Sequence, residues 1–198
     1  MTDLAIYDMD RTITRAGTYT PFLIHAAARI APWRLVLAPL VPLVMAAYAC
    51  RLIDRRRLKE VVQRLLLGRA VPRARLSRAA ESFADLTIKA NLRPGAIRRI
   101  AEDRTAGRRL VLATASYRFY VEPIAARLGF DDVIATGSIT GLDDIIHARI
   151  DGENNYGPAK LRLIEAWCAR EGIARAEVRV RFYSDHVSDA PALEWADE

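Results

Sequence analysis

The chain has 198 residues, of which 52% are hydrophobic, and its formal net charge is +6. This length fits one domain, or one domain with an insertion, and such a chain can bury a core without disulfides. The hydrophobic content excludes an intrinsically disordered chain. The basic excess favours anionic partners such as phosphates, acidic lipid surfaces or nucleic acids, although a compositional bias of the source genome explains it equally well.

Two cysteines, Cys50 and Cys168, occur in apolar helical patterns without metal-ligand spacing. We predict that both are buried free thiols, which is typical of a reducing compartment. The N-terminal residues contain neither a basic region nor a long apolar run, so no secretory signal is expected. We therefore expect a cytoplasmic protein.

The first predicted element is a short apolar run over residues 4–7, which reads as a buried strand followed by a polar turn. Apolar spacing is then helical from about residue 18 to residue 90, with clear one-sided faces at 58–67 and 76–90. A turn at 93–95 ends this block. The elements predicted after it are a helix at 94–106, a strand at 109–113, a helix at 118–128, strands at 133–139 and 145–150, a helix at 158–171 and a strand at 178–182.

This order of elements determines the predicted architecture. Strands that alternate with helices indicate an α/β fold, in which a parallel sheet is covered by helices on both faces. The helical block interrupts the alternation once, directly after the first strand. We therefore predict a core of residues 1–17 and 91–198 and an inserted α-helical cap of residues 18–90.

Residues 35–50 of the predicted cap carry no charge, and we call them the apolar segment. As a helix it would span roughly 24 Å, which is shorter than the roughly 30 Å hydrocarbon core of a bilayer. Pro39 and Pro42 would bend or break that helix. Arginines flank it on both sides, which favours docking on the cytoplasmic face of a membrane. A core helix of the cap, an oligomer contact and a full membrane span are the alternatives. The flanking arginines are Arg29, Arg34, Arg51, Arg55, Arg56 and Arg57.

Polar side chains follow the predicted strands at the ends where sites form in open α/β sheets. Carboxylates that converge beside a lysine suit a metal-assisted reaction on a phosphate, and oxygen ligands favour Mg²⁺. Each group also has a structural explanation, as a turn residue, a helix N-cap or a solvated lysine. Their ordered combination favours a site. The groups are Asp8, Asp10, Thr12, Thr114, Lys160, Asp185 and Asp189.

With these residues the sequence resembles the haloacid dehalogenase superfamily, and within it subfamily IB, which is phosphoserine-phosphatase-like. The resemblance covers nearly the whole chain and implies a Rossmann-like, doubly wound parallel sheet with a helical cap after the first motif. Four motifs match in order. They are Asp8-Met9-Asp10-Arg11-Thr12, Val111-Leu112-Ala113-Thr114-Ala115-Ser116, Lys160 within residues 156–160, and Ser184-Asp185-His186-Val187-Ser188-Asp189.

The resemblance implies a role for each central residue. Asp8 would attack phosphorus and form an aspartyl phosphate, and Asp10 would act as the general acid and then the general base. Thr114 and Lys160 would contact the phosphoryl group. Asp8, the backbone carbonyl of Asp10, and Asp185 would hold Mg²⁺.

The same resemblance implies roles for the remaining motif residues. Asp189 would act at the metal through a bound water, or would orient the motif lysine. Arg11, Thr12 and Ser116 would contact the substrate.

The implied activity is Mg²⁺-dependent hydrolysis of a phosphomonoester. Phosphoserine phosphatases carry a glutamate soon after the first motif, whereas residues 14–20 here contain no acid, and their second motif tends to read Ser-Gly-Gly. The cap instead resembles the phosphatidylglycerophosphatase C branch, so we expect a lipid phosphate such as phosphatidylglycerophosphate and no nucleic-acid partner. Phosphoserine or another small soluble phosphomonoester, transfer to an acceptor other than water, and an inactive membrane-associated binding module are the alternatives.

Overall fold

Six strands form one sheet in the computed structural model, which describes residues 3–198. Residues 1 and 2 of the predicted core lie outside the described residues. The strand order in the sheet is β2-β5-β4-β3-β1-β6. The strands are β1 (Leu4–Tyr7), β2 (Ala70–Pro72), β3 (Arg109–Tyr117), β4 (Asp132–Thr140), β5 (Ile145–Asp151) and β6 (Val180–Tyr183).

The centre of the sheet is parallel. Strand β1 lies between β3 and β6 and runs parallel to both, and β4 runs parallel to β3. All four residues of β1 are buried, as expected for a central parallel strand that is covered on both faces. Strand β5 is antiparallel to β4, and β2 is antiparallel to β5.

Helices cover both faces of the sheet, so the predicted doubly wound α/β fold is confirmed. Leu4 and Ile6 belong to the cluster that packs under the helices Pro158–Arg170 and Ala190–Trp195, whereas Ala5 and Tyr7 belong to the larger cluster on the other face. This division follows from the alternation of side chains along a strand. The helices are α1 (Tyr19–Ile30), α2 (Val41–Ala49), α3 (Arg55–Leu67), α4 (Arg73–Ala90), α5 (Pro94–Thr105), α6 (Arg118–Leu128), α7 (Pro158–Arg170) and α8 (Ala190–Trp195), with 3-10 helices at Pro32–Leu40, Arg175–Glu177 and Val187–Asp189.

The block between β1 and α5 contains helices α1–α4, and it also contains β2. The sequence pattern missed this strand because three residues are too few to show a period of two. Val71 of β2 is buried, and Ala70, Val71 and Pro72 lie opposite residues of β5 at the sheet edge. The division into a core and a cap at residues 17 and 91 stays a prediction.

The apolar segment comprises residues 35–40 of the 3-10 helix, all of α2, and Cys50. Much of it faces solvent. Val36 is 75% exposed and Leu43 is 66% exposed, whereas Val41 is buried. The interpretation of the segment as a buried core helix of the cap is therefore wrong. By length and composition alone, Pro32–Ala49 could cross a membrane.

The two cysteines differ. Cys168 is buried on α7, as predicted, but Cys50 is exposed. It follows the last residue of α2, where the chain leaves the packed helices, so an apolar sequence context did not imply burial here.

Candidate active site

A cavity of about 500 Å³ opens where the ends of β1, β3 and β6 meet the start of α7. Because parallel strands present their carboxyl ends at one edge, residues from distant parts of the chain meet here. Eight of the nine residues predicted from sequence line the cavity. They are Asp8, Asp10, Arg11, Thr114, Ser116, Lys160, Asp185 and Asp189.

Lys160 joins two of the carboxylates at the buried end of the cavity. Its Nζ lies 2.9 Å from Asp8 Oδ1 and 2.5 Å from Asp189 Oδ2, and all three side chains are buried. Gly157, with φ of +60°, turns the chain into α7 and so places Lys160 in its first turn. Ser184 Oγ donates to Asp189 Oδ2 at 2.7 Å. This geometry is the one expected if Asp189 orients Lys160.

Burial sets the ionisation of Asp8. Removal from water raises the pKa of Asp8 to about 6, although the nearby Lys160 ammonium acts in the opposite direction. At neutral pH the carboxylate is therefore mostly ionised, as a nucleophile requires.

Thr12 lies between two carboxylates. Its Oγ1 is 3.4 Å from Asp8 Oδ2 and 3.3 Å from Asp185 Oδ1, and it accepts a hydrogen bond from the Asp185 amide at 3.1 Å. One hydroxyl can donate to only one carboxylate at a time. Thr12 therefore lies beside both carboxylates and donates to either Asp8 or Asp185. Its contact with the substrate stays a prediction.

The oxygen donors in this part of the cavity suit a hard cation. Within residues 3–198, no three His, Cys, Asp or Glu side chains form a metal-binding group by themselves. The predicted set does not need three side chains, because it combines two carboxylates with the Asp10 carbonyl, and Mg²⁺ usually keeps several waters. Asp189 Oδ1 is also a buried acceptor with no hydrogen-bond partner among the described residues. The donor chemistry therefore fits Mg²⁺.

Three hydrogen bonds fix the Asp10 side chain. Thr18 donates to Oδ1 from its amide and from its hydroxyl, each at 2.7 Å, and Ser116 Oγ donates to Oδ2 at 2.7 Å. The Ser116 hydroxyl thus orients Asp10, and its contact with the substrate stays a prediction. Thr114 Oγ1 accepts from the Ser116 amide at 3.2 Å. Its own O–H is left free to donate within the described part of the chain.

Arg11 lines the cavity with an exposed side chain and has a φ of +65°. This left-handed conformation costs a non-glycine residue roughly 1–2 kcal/mol. Strain of this kind concentrates at functional sites. It turns the chain sharply between Asp10 and Thr12.

A buried aspartate that sequence reasoning missed braces the strands carrying Asp8 and Asp185. Tyr7 of β1 and Tyr183 of β6 stack with ring centroids 4.3 Å apart. Both hydroxyls donate to Asp103 Oδ2 of α5, at 2.5 and 3.0 Å. Asp103 is one of two adjacent acids in a polar helix, so the sequence contains no signal for this role.

Sequence reasoning also missed two cations on the side of the cavity formed by the predicted cap, Lys59 and Arg55 of α3. Lys59 is buried, and burial lowers its pKa to about 7, helped by the nearby charge of Arg55. The sequence did contain a signal for the burial of Lys59, because this residue shares a helical face with the apolar Val62 and Leu66, at spacings of three and seven residues.

The family of haloacid dehalogenase-like hydrolases matches residues 5–194. The chain belongs to this family. Its solved structural neighbours include a substrate-bound phosphoserine phosphatase, with a TM-score of 0.63 and 17% identity, over 99% of this chain and 83% of that one. At this identity the likeness shows the fold alone.

Other relatives carry less functional information. The chain is 30% identical to protein CicA of Caulobacter vibrioides over 98% of its own length and 83% of that protein. It is 38% identical over 95 residues to an inhibition of morphological differentiation protein of Streptomyces azureus, which covers 48% of this chain but only 33% of that protein. A structure from Bordetella pertussis Tohama I, described as of unknown function, matches with a TM-score of 0.84 and 25% identity, over 98% of this chain and 87% of that one.

Proposed function

We propose that this hydrolase cleaves phosphomonoesters through an aspartyl phosphate on Asp8, with Mg²⁺ as its cofactor. The observation that carries this proposal is the buried Lys160, which contacts Asp8 and Asp189 at the end of an open cavity. Buried charges are costly, so such a cluster of acids around one lysine is typical of a reaction centre.

In the first step Asp8 attacks phosphorus. The bond between phosphorus and the ester oxygen breaks, and the departing oxygen takes a proton from Asp10. The Thr114 hydroxyl and the Lys160 ammonium donate to phosphoryl oxygens as charge develops on them. The products are an alcohol and the aspartyl phosphate.

In the second step water attacks the same phosphorus. Asp10 accepts a proton from that water, the bond to Asp8 breaks, and inorganic phosphate is released. The three hydrogen bonds from Thr18 and Ser116 hold Asp10 in place for both proton transfers. Asp8, Asp185 and the Asp10 carbonyl would hold the ion, which when bound offsets negative charge on the phosphoryl group.

For the substrate we propose a lipid phosphate such as phosphatidylglycerophosphate. Val41 and Met45 of the apolar segment line the cavity, while Val36 and Leu43 of the same segment face solvent. An apolar surface that continues from a cavity to the exterior suits a substrate whose acyl chains stay in a bilayer. In the described residues, the cap side of the cavity presents no acid that would bind the amine of phosphoserine.

We also propose that the apolar segment docks on an anionic lipid surface at the cytoplasmic face. Exposed apolar side chains there include Val36, Leu43 and Met45. Arg29 and Arg51 are exposed flanking arginines and would attract anionic lipids, at about 1 kcal/mol for each basic residue near the surface. The arginines and the apolar residues together favour a surface contact over a full span.

The test is a hydrolysis assay with an aryl phosphate, phosphatidylglycerophosphate in mixed micelles, and free phosphoserine. Wild-type protein should require Mg²⁺, and Asp8→Asn should lower turnover roughly 10³-fold or more. Asp85→Asn, an exposed aspartate on α4, is the matched control and should behave like wild type. Preference for phosphoserine would overturn the lipid proposal. Absence of Mg²⁺-dependent hydrolysis across the panel would favour the inactive binding module.

A further inference from the structure

Two cations of α3, Arg55 and Lys59, face the cavity from the cap side. They are four residues apart, so they lie on one face of the helix, one turn from each other. Neither belongs to the four motifs, and the proposed reaction does not use them.

The surroundings of Lys59 are neutral. Its Nζ donates to the Ala115 carbonyl at 2.6 Å and to Asn154 Oδ1 at 2.8 Å, and it lies 4.4 Å from the centre of the Tyr117 ring. Among the described residues it forms no ion pair with a carboxylate, and one of its three N–H groups remains without a protein acceptor. A buried ammonium without a counter-ion is unfavourable, so this position favours an anion that enters the cavity.

Arg55 is likewise without a carboxylate partner in the described part of the chain. Its guanidinium lies 3.8 Å from the centre of the Tyr156 ring, which lines the same cavity. Arg56 and Arg57, the next two residues, both pair with Glu60. At the start of this helix, the two arginines that do not line the cavity are thus paired with Glu60, whereas Arg55 and Lys59, which line it, have no carboxylate partner among the described residues.

Like charges one turn apart destabilise a helix. An anion bound between them would remove this repulsion. We propose that Arg55 and Lys59 bind a second anionic group of the substrate, separate from the phosphoryl group that Asp8 attacks. The substrate class is then a phosphomonoester that also carries a phosphodiester or a carboxylate, a proposal that rests on the proposed function.

The site also limits the distance between the two anions. Lys59 contacts the carbonyl of Ala115, which lies between Thr114 and Ser116 of the second motif. The second anion therefore binds close to the phosphoryl group, and a short linker joins the two. Val41 and Leu58 provide an apolar wall in the same cavity.

The test compares three phosphomonoesters in the presence of Mg²⁺. Lysophosphatidic acid carries no second anion, phosphatidylglycerophosphate carries a phosphodiester, and phosphoserine carries a carboxylate. The measured quantity is the ratio of kcat/KM for each two-anion substrate to kcat/KM for lysophosphatidic acid. Lys59→Met should lower the ratio for the preferred two-anion substrate about tenfold, through KM, and Lys59→Arg should restore part of it.

Arg55→Gln provides a second variant, because Arg55 is only half-buried and its loss leaves the packing of α3 in place. It should lower the same ratio about threefold. Lys89→Met and Arg98→Gln, which remove exposed charges on α4 and α5, are the matched controls and should keep the wild-type ratio.

The outcomes separate this inference from the proposed function. Equal losses on all three substrates would overturn it, because Lys59 would then serve the transferred phosphoryl group or the fold. An unchanged ratio in both variants would overturn it as well. If the wild type hydrolyses only an aryl phosphate and none of the three, this inference fails while the proposed function stands. If it hydrolyses neither the three nor an aryl phosphate in an Asp8-dependent manner, the proposed function itself fails.

Discussion

The two buried lysines of the cavity, Lys160 and Lys59, have opposite surroundings. Lys160 contacts the carboxylates of Asp8 and Asp189, whereas Lys59 contacts only neutral oxygens. Carboxylates at the sheet edge thus balance the charge of Lys160, whereas no carboxylate among the described residues pairs with Lys59. We infer from this difference that the sheet edge is assembled for the proposed reaction, whereas an anionic group of the substrate completes the side formed by α3.

The largest expected difference between the two lysines is in how much their loss lowers the free energy of unfolding. Lys160→Met leaves two buried carboxylates unpaired and should lower the free energy of unfolding by about 3–5 kcal/mol near pH 7. Lys59→Met removes an uncompensated charge together with two hydrogen bonds, so the free energy of unfolding should change by about 1 kcal/mol or less. Urea unfolding measures both, with Lys89→Met as the surface control. Equal destabilisation by the two substitutions would contradict the comparison.

A fall in pH should weaken the binding of Mg²⁺ at the sheet edge about tenfold per pH unit. The pKa of Asp8 is raised to about 6 by burial, so protons and Mg²⁺ compete for this carboxylate as the pH falls below 6. The dissociation constant for Mg²⁺, measured by calorimetry, should then rise about tenfold per pH unit. Asp8→Asn should show a flatter dependence between pH 5 and 6. A wild-type affinity that is constant over this range would contradict the assignment of Asp8 as a ligand.

The same pKa shift predicts a stability change in the metal-free protein. Because the folded pKa of Asp8 lies above its ordinary value of 3.8, protonated Asp8 favours the folded state. Its contribution to the free energy of unfolding is fully present below about pH 4 and is lost as the pH rises through 6. The difference in stability between wild type and Asp8→Asn, followed by urea unfolding in EDTA, should show this trend.

Sequence pattern predicted the sheet edge better than the cap side, for a physical reason. Asp8 follows β1 directly, and Asp185 lies two residues after the end of β6 with Asp189 four residues further on, so local periodicity places them near the edge where parallel strands end. Lys59 is held by hydrogen bonds to Ala115 and Asn154, which are distant in sequence. Strand β2 likewise depends on its pairing with the distant strand β5. Contacts between distant segments leave little trace in local spacing, so these features required the structure.

Substitutions in the apolar segment should give the smallest effect, which is on binding to lipid vesicles. Val36→Glu combined with Leu43→Glu should weaken binding to phosphatidylglycerol-containing vesicles about fivefold, because each side chain is exposed and would enter the lipid interface. Cys50 is exposed while Cys168 is buried, so an environment-sensitive dye placed on Cys50 can report docking. Stability should stay unchanged.

Leu142→Glu provides the matched control for this pair, since Leu142 is fully exposed in the turn between β4 and β5. It should bind vesicles like wild type. Equal loss in the control, or no loss in the pair, would remove the apolar segment from the membrane contact.

The central claim is that Asp8 becomes phosphorylated. The direct measurement is acid quenching during turnover of radiolabelled phosphatidylglycerophosphate or an aryl phosphate with Mg²⁺, followed by peptide mapping. We predict a transient phosphoryl label on the peptide that contains Asp8, which decays when unlabelled substrate is added and is absent in Asp8→Asn. A label on another residue, or turnover without any labelled enzyme at the earliest quench times, would contradict the account.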